Sequence, residues 1–208
     1  MNIEINSHSS IKIKSDKIIY IDPFNIDKNY NDADVIFITH SHYDHFSEED
    51  ILKVKKISTK IVITRDLKEK VAKLGFIKDN ILEVLPNKKY KLDDICITSV
   101  PAYNINKEFH LKEYDWVGYI IEIENKKVYI AGDTDYIEEN KNINCDVMLV
   151  PVGGTYTMNY LEAAEFVNYI NPKIAIPTHY GSIVGNKEDG EKFAEKVNKN
   201  IQVICKIM

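Results

Sequence analysis

The stretch DVIFITHSHYDHFSEED, residues 34–50, sets an apolar run, Asp34 to Thr39, directly before three histidines and an aspartate packed into positions 40–45. A run this apolar predicts a strand buried on both faces. Ser47, with an acid three residues on at Asp50, predicts the start of a helix over Ser47–Ile57. His40, His42, Asp44 and His45 therefore fall on a strand-to-helix loop, at the end of a buried strand where a rigid scaffold presents functional groups. Imidazole and carboxylate together suit zinc, manganese or iron, and the absence of thiolate argues against a purely structural zinc site. A solvated polar loop is the alternative reading, and it suits a lone histidine better than three imidazoles beside a carboxylate.

Outward from this loop, short β-rich runs alternate with helical patterns. Strands are predicted at Asn2–Asn6, Ser10–Lys14, Lys17–Asp22, Asp34–Thr39, Lys60–Thr64 and Ile81–Leu85, then at Asp94–Val100, Val117–Glu124, Lys127–Ala131, Asp146–Val150, Lys173–Ile176 and Ile201–Ile207. Besides Ser47–Ile57, helical spacing predicts Asp66–Leu74, Asn159–Ile170 and Lys187–Asn198, with Gly75 and Pro172 stopping two of them. Glu124-Asn125-Lys126 reads as a hairpin turn. The pattern implies mixed sheets flanked by helices, and no linker or repeat interrupts it, so one domain over residues 1–208 is expected.

Lys and Arg number 27 against 32 Asp and Glu, a net charge of -5, which argues against a basic face that coats nucleic acid. No stable nucleic-acid complex is expected; a small-molecule substrate fits. Cys96, Cys145 and Cys205 are widely spaced without a CxxC, as expected of a reduced setting. The start, MNIEINSHSS, has no basic segment followed by an apolar one, and no run approaches the roughly 18 apolar residues that span a bilayer. A cytoplasmic protein without membrane insertion is expected, and a homo-oligomer is left open.

HSHYDH at 40–45 resembles the HxHxDH signature of the metallo-β-lactamase-fold hydrolases. Ile19-Tyr20-Ile21-Asp22-Pro23 is similar to their early aspartate strand, Ala131-Gly132-Asp133-Thr134-Asp135 to their bridging-aspartate motif, and Pro177-Thr178-His179-Tyr180-Gly181 to their last histidine motif. Within the superfamily the chain looks most like the compact branch of the ascorbate-6-phosphate lactonase and the N-acyl-phosphatidylethanolamine phospholipase D type enzymes. The resemblance implies an α+β fold, a four-layered αββα sandwich of two pseudo-symmetric halves. It also implies two divalent transition-metal ions, zinc, manganese or iron, roughly 3.5–4 Å apart and sharing a hydroxide that attacks a phosphodiester or a lactone or ester. His40 and His42 would hold the first ion, Asp44, His45 and His179 the second, and Asp133 would bridge them, with Asp44 and Asp133 as the catalytic carboxylates.

The family pattern breaks at one position. A third histidine is expected after a strand, but Pro101-Ala102-Tyr103 is followed by Asn104, an amide and so a weaker donor. His110, six residues on, is expected either to complete the first metal site or to face the substrate; Asn104 itself is a substrate-side candidate or a replacement ligand. His8 and Tyr180 are further substrate-side candidates. Asp22 ends a strand and is expected to accept a ring N–H from a ligand histidine, fixing its tautomer. The glycine-rich Gly153-Gly154-Thr155 lacks the lysine of a phosphate loop and reads as a tight turn. Two other readings stay open: a non-hydrolytic diiron redox or sensor protein, whose members usually have glutamate in place of His42, and a degenerate scaffold that binds metal without turnover.

Overall fold

A computed structural model describes residues 1–207, and the chain divides into two compact units, Met1–Leu85 and Pro86–Met208. The first holds a six-stranded sheet in sequence order: β1 (Asn2–Ser7), β2 (Ser10–Lys14), β3 (Ile18–Ile21), β4 (Ala33–Phe37), β5 (Lys55–Thr64) and β6 (Ile81–Val84). The first three strands form an antiparallel meander, and β3 to β6 run parallel. Parallel strands are buried on both faces, which is why β4 has the near-continuous apolar run that marks it in the sequence. Helix α1 (Glu48–Val54) is capped by Ser47, whose side chain accepts from the Asp50 N–H, and helix α2 (Lys68–Lys73) follows a single 3-10 turn. The apolar core packs Ile36, Ile38, Ile51, Val54, Ile61 and Ile63 together.

One boundary differs from the sequence reading. The helix predicted to reach Ile57 stops at Val54, and β5 starts at Lys55 with Ala33 of β4 opposite it. The β-branched Ile57 and Thr59 favour extended backbone, and Thr59 fixes the crossing by donating its hydroxyl to the Ala33 carbonyl at 2.6 Å.

The second unit holds a seven-stranded sheet in the order β13-β12-β11-β10-β9-β8-β7. Its strands are β7 (Lys88–Leu92), β8 (Ile95–Pro101), β9 (Val117–Ile123), β10 (Lys126–Ile130), β11 (Val147–Pro151), β12 (Ile174–Thr178) and β13 (Gln202–Val203). Strands β7 to β10 are antiparallel, and β10 to β13 parallel. The β9–β10 connection is the predicted hairpin turn, with Glu124 and Asn125 at φ 49° and 59°, the two left-handed residues that match the strand twist. Helices α3 (Tyr160–Ile170), opened by an Asn159–Glu162 capping box, and α4 (Asp189–Lys196) pack on one another and carry Phe166 and Phe193 into the core.

Strand β7 was not predicted. Its KKYKL is a lysine-rich sheet edge, where charge discourages pairing with another chain and masks the strand pattern. The strand predicted over Ile201–Ile207 is paired only at Gln202 and Val203. In both units the loops that matter lie past the carboxyl ends of strands: Asp22 after β3, His40 after β4, Asn104 after β8, Asp133 after β10 and His179 after β12.

Candidate functional site

All six histidines of the chain lie in two clusters, four in the first unit and two in the second. In the first unit Asp22 is the anchor. Its Oδ1 accepts the Thr39 N–H at 2.8 Å, and its Oδ2 lies 2.7 Å from both the Thr39 hydroxyl and His45 Nδ1. Burial pushes the Asp22 carboxyl up from the ordinary carboxylate range, while His45 and the two Thr39 donors work against that. With three donors directed at it, the carboxylate accepts a hydrogen bond from the Thr39 hydroxyl, which keeps its proton. The Thr39 oxygen is then left to accept from His40 Nδ1 at 2.9 Å. One buried acid thereby sets both rings with a proton on Nδ1 and Nε2 as the atom turned to the rest of the cluster.

The Nε2 atoms so prepared face other electron-rich atoms. His40 Nε2 is 3.2 Å from His42 Nδ1, and the Asp44 Oδ2 atom is 3.6 Å from His45 Nε2 and 3.3 Å from His8 Nε2. His8, His40, Asp44 and His45 are buried, and His42 is half-buried. His8, a substrate-side candidate from the sequence, thus stands in direct contact with the HxHxDH carboxylate.

In the second unit Asp133 is the centre. Its Oδ2 lies 3.0 Å from His179 Nε2 and 3.2 Å from His110 Nε2, and all three residues are buried. Gly132, at φ 65°, turns the chain after β10 so that Asp133 can be presented. Gly153 lets its loop close on the last histidine: a Cβ there would stand 2.2 Å from the His179 carbonyl oxygen. Trp116 packs its ring 5.6 Å from that of His110.

The donor chemistry fits a divalent transition metal. Imidazole nitrogens and carboxylate oxygens converge at 3.0–3.6 Å in both clusters, and His8, Asp44 and His45 each offer a ligand atom within 4.8 Å of the others. Such groups are brought together in a buried place by shared protons or by a cation, and imidazole with carboxylate is the zinc, manganese or iron donor set. Backbone strain marks the same residues. His8, Asp22 and His179 occupy the left-handed region at φ 50°, 47° and 58°, each at a cost of order 1–3 kcal/mol that the surrounding structure must impose.

The remaining candidates are placed differently. Both polar ends of the Asn104 amide are engaged: Oδ1 by the His110 backbone N–H at 3.1 Å, and Nδ2 by the Tyr156 carbonyl at 2.9 Å. The amide oxygen is thus engaged by His110, which itself stands beside Asp133. Tyr180 is buried in the second unit's core, and its hydroxyl lies 3.4 Å from the Ile207 carbonyl, against Gly190 of α4. Burial pushes that hydroxyl up to about 12. Thr39 and Asp135 escaped sequence reasoning; their only signals were a hydroxyl next to His40 and a second acid two residues after Asp133.

Residues 2–179 match the family model described as Beta-lactamase superfamily domain. The chain belongs to that superfamily. Within it the chain is 31% identical to the UPF0173 metal-dependent hydrolase of Methanosphaera stadtmanae, over 97% of this chain and 93% of that protein, and so is a member of the UPF0173 family. It is 28% identical to a Pyrococcus abyssi protein of the same family, over 98% of this chain and 95% of the relative. A crystal structure of a Parabacteroides distasonis protein matches this superfamily member with a TM-score of 0.83 at 28% identity, covering 99% of this chain and 93% of that one. The fold is the metallo-β-lactamase fold expected from the sequence, with two mixed sheets and flanking helices. Among the described residues no helix is long and apolar enough to cross a membrane.

Proposed function

We propose that this chain is a dinuclear metal-dependent hydrolase of a small molecule, with a phosphodiester or a lactone or ester as the bond it cleaves. The observation that carries the reading is the gathering of every histidine into two clusters around aspartates, with ring nitrogens of His8, His45, His110 and His179 facing the carboxylate oxygens of Asp44 and Asp133. The family model spans both clusters, and relatives over nearly the whole length bear the name metal-dependent hydrolase. The likeness of the HxHxDH, Asp133 and His179 motifs to the lactonase and phospholipase D type branch supports the substrate class.

In this reading His40, His42 and His110 would hold one ion, Asp44, His45 and His179 the other, and Asp133 would serve both. When bound, such ions polarise a carbonyl or phosphoryl oxygen and make hydroxide available from water at neutral pH. The chain's own residues do the rest. Asp22 and Thr39 keep the His40 and His45 lone pairs on Nε2. Asp133 offsets positive charge and, lying between two imidazoles, is placed to carry a proton to the leaving group. His8 touches Asp44 and orients it on the substrate side. Trp116 shields His110 from water.

The test is hydrolysis of bis-p-nitrophenyl phosphate and of a lactone and ester panel, by protein supplied with Zn, Mn or Fe, before and after chelation. Turnover on one class that is lost with chelator and restored by metal is expected. Metal-independent turnover, or metal-loaded protein inert across the whole panel, would overturn the hydrolase reading.

A further inference from the structure

Asn104 occupies the place where the superfamily likeness leads one to expect a histidine, and its contacts define a different role. Its Oδ1 accepts the His110 backbone N–H at 3.1 Å and lies 3.0 Å from His110 Nδ1. Its backbone N–H donates to the His110 carbonyl at 2.7 Å, which closes the loop between the two residues. The amide cannot be turned round. Its Nδ2 stands 3.2 Å from Asp135 Oδ1 and 2.9 Å from the Tyr156 carbonyl, both acceptors, and a backbone N–H can only donate to Oδ1. An oxygen so fixed has no hydrogen to offer the ring. His110 must therefore carry a proton on Nδ1, which leaves Nε2, the atom 3.2 Å from Asp133 Oδ2, as the one that meets that carboxylate through a cation or a shared proton.

We infer that Asn104 is a positioning residue that locks His110 in the Nδ1–H tautomer and aims Nε2 at the Asp133 carboxylate. Asp135 holds Asn104 in turn. Besides the amide, Asp135 accepts the Ile105 N–H at 3.0 Å and pairs with Lys107, so one buried acid fixes both the start of the loop and the amide's orientation. The chain thus reaches in the second unit, with Asp135, Asn104 and His110, the same result that Asp22, Thr39 and His40 give in the first. A role confined to loop shape would be met by the backbone pair between Asn104 and His110; placing Oδ1 on the ring nitrogen fixes a tautomer as well. The tautomer stands on these contacts alone, whereas its consequence for metal rests on the proposed role of His110.

The test is ring 15N spectroscopy of the full chain labelled at histidine, before and after zinc loading, with His110 assigned by its loss in His110→Gln. Zinc affinity is measured in parallel by chelator competition. The expected result is an Nδ1–H signature for His110 in the parent chain. Asn104→Ala should lose that signature and bind zinc about 10–100-fold more weakly, with circular dichroism unchanged. A neutral ring protonated on Nε2 alone in the parent overturns the lock and needs no variant, so it decides even if Asn104→Ala fails to fold. A folded Asn104→Ala that keeps the parent's tautomer, or that loses it with zinc affinity unchanged, also overturns the positioning role. A parent with the Nδ1–H tautomer that binds no zinc, manganese or iron would leave the lock standing and sink the metal reading instead.

Discussion

The two histidine clusters reach the same ring geometry by different means. In the first unit a buried carboxylate, Asp22, accepts three hydrogen bonds and sets two imidazoles, one directly at 2.7 Å and one through the Thr39 hydroxyl. In the second a neutral amide, Asn104, sets a single imidazole at 3.0 Å and is itself held by Asp135. A charged acceptor forms shorter and roughly twice stronger hydrogen bonds than a neutral one, but it must bear the cost of burial. The first cluster therefore concentrates its control in one strained, buried acid, and the second spreads it along a loop whose acid, Asp135, is two residues from the centre it serves. Both supports put an acceptor at Nδ1, a carboxylate for His45 and an amide oxygen for His110.

This contrast predicts an order of effects. The largest belongs to the centre of the second cluster: Asp133→Asn keeps the shape but removes the charge between His110 and His179. Turnover in the hydrolysis assay should fall at least about a hundredfold while the fold persists. Persistent activity would remove Asp133 from the chemistry.

Next come the two supports. Asp22→Ala strips the acceptor from both His45 and Thr39, and should lower zinc affinity at the upper end of the 10–100-fold range typical of such partners; Asn104→Ala should fall at the lower end. Equal losses would break the comparison, because they would mean that setting one ring matters as much as setting two. His110→Ala should reduce the occupancy of one ion more than that of the other, and elemental analysis reads it. Unchanged metal content with lost activity would assign His110 to the substrate instead.

The smallest effect concerns the scaffold under the first cluster. Asp50 of α1 accepts the Asn25 and Ile26 N–H groups at 2.9 and 3.1 Å and pairs with Lys53, tying the helix to the chain just after Asp22. Burial opposes ionisation of this carboxyl, but Lys53, Ser47 and Ile26 outweigh it, so it lies below the ordinary carboxylate range. A carboxylate with a lowered folded value stabilises the native state above its unfolded pKa, near 4, and loses that contribution as pH falls through the folded value. Asp50→Asn should therefore cost about 1–3 kcal/mol at pH 7 in urea unfolding, and the cost should shrink below about pH 4. A difference that does not change with pH would show that the charge of Asp50 plays no part.

How much of this was legible in the sequence follows from what each feature depends on. Strand β4 and the HxHxDH loop were readable because burial on both faces and ligand spacing leave local marks. So were Asp133 and His179, each a polar residue at the end of an apolar strand. His110 was expected to complete the first metal site or to face the substrate, and its place beside Asp133 was not readable, because the closure depends on Asn104 and Asp135, which are partners through the fold and not through spacing. Thr39 was invisible as a relay, since a threonine ending a strand is common and only its contact with Asp22 gives it a role. The lost end of the predicted first helix and the lysine-rich β7 were misjudged for the same reason: pairing with a neighbouring strand overrode local preference.

The account turns on whether both clusters serve metal, and the most direct measurement is elemental analysis of freshly purified, full-length protein after mild chelation and after supply of Zn, Mn or Fe. The account predicts about two transition-metal ions per chain, as in a dinuclear hydrolase, with the ion of Asp44, His45 and His179 the last to leave under chelator. Protein that retains no metal above background in any of these conditions would contradict it.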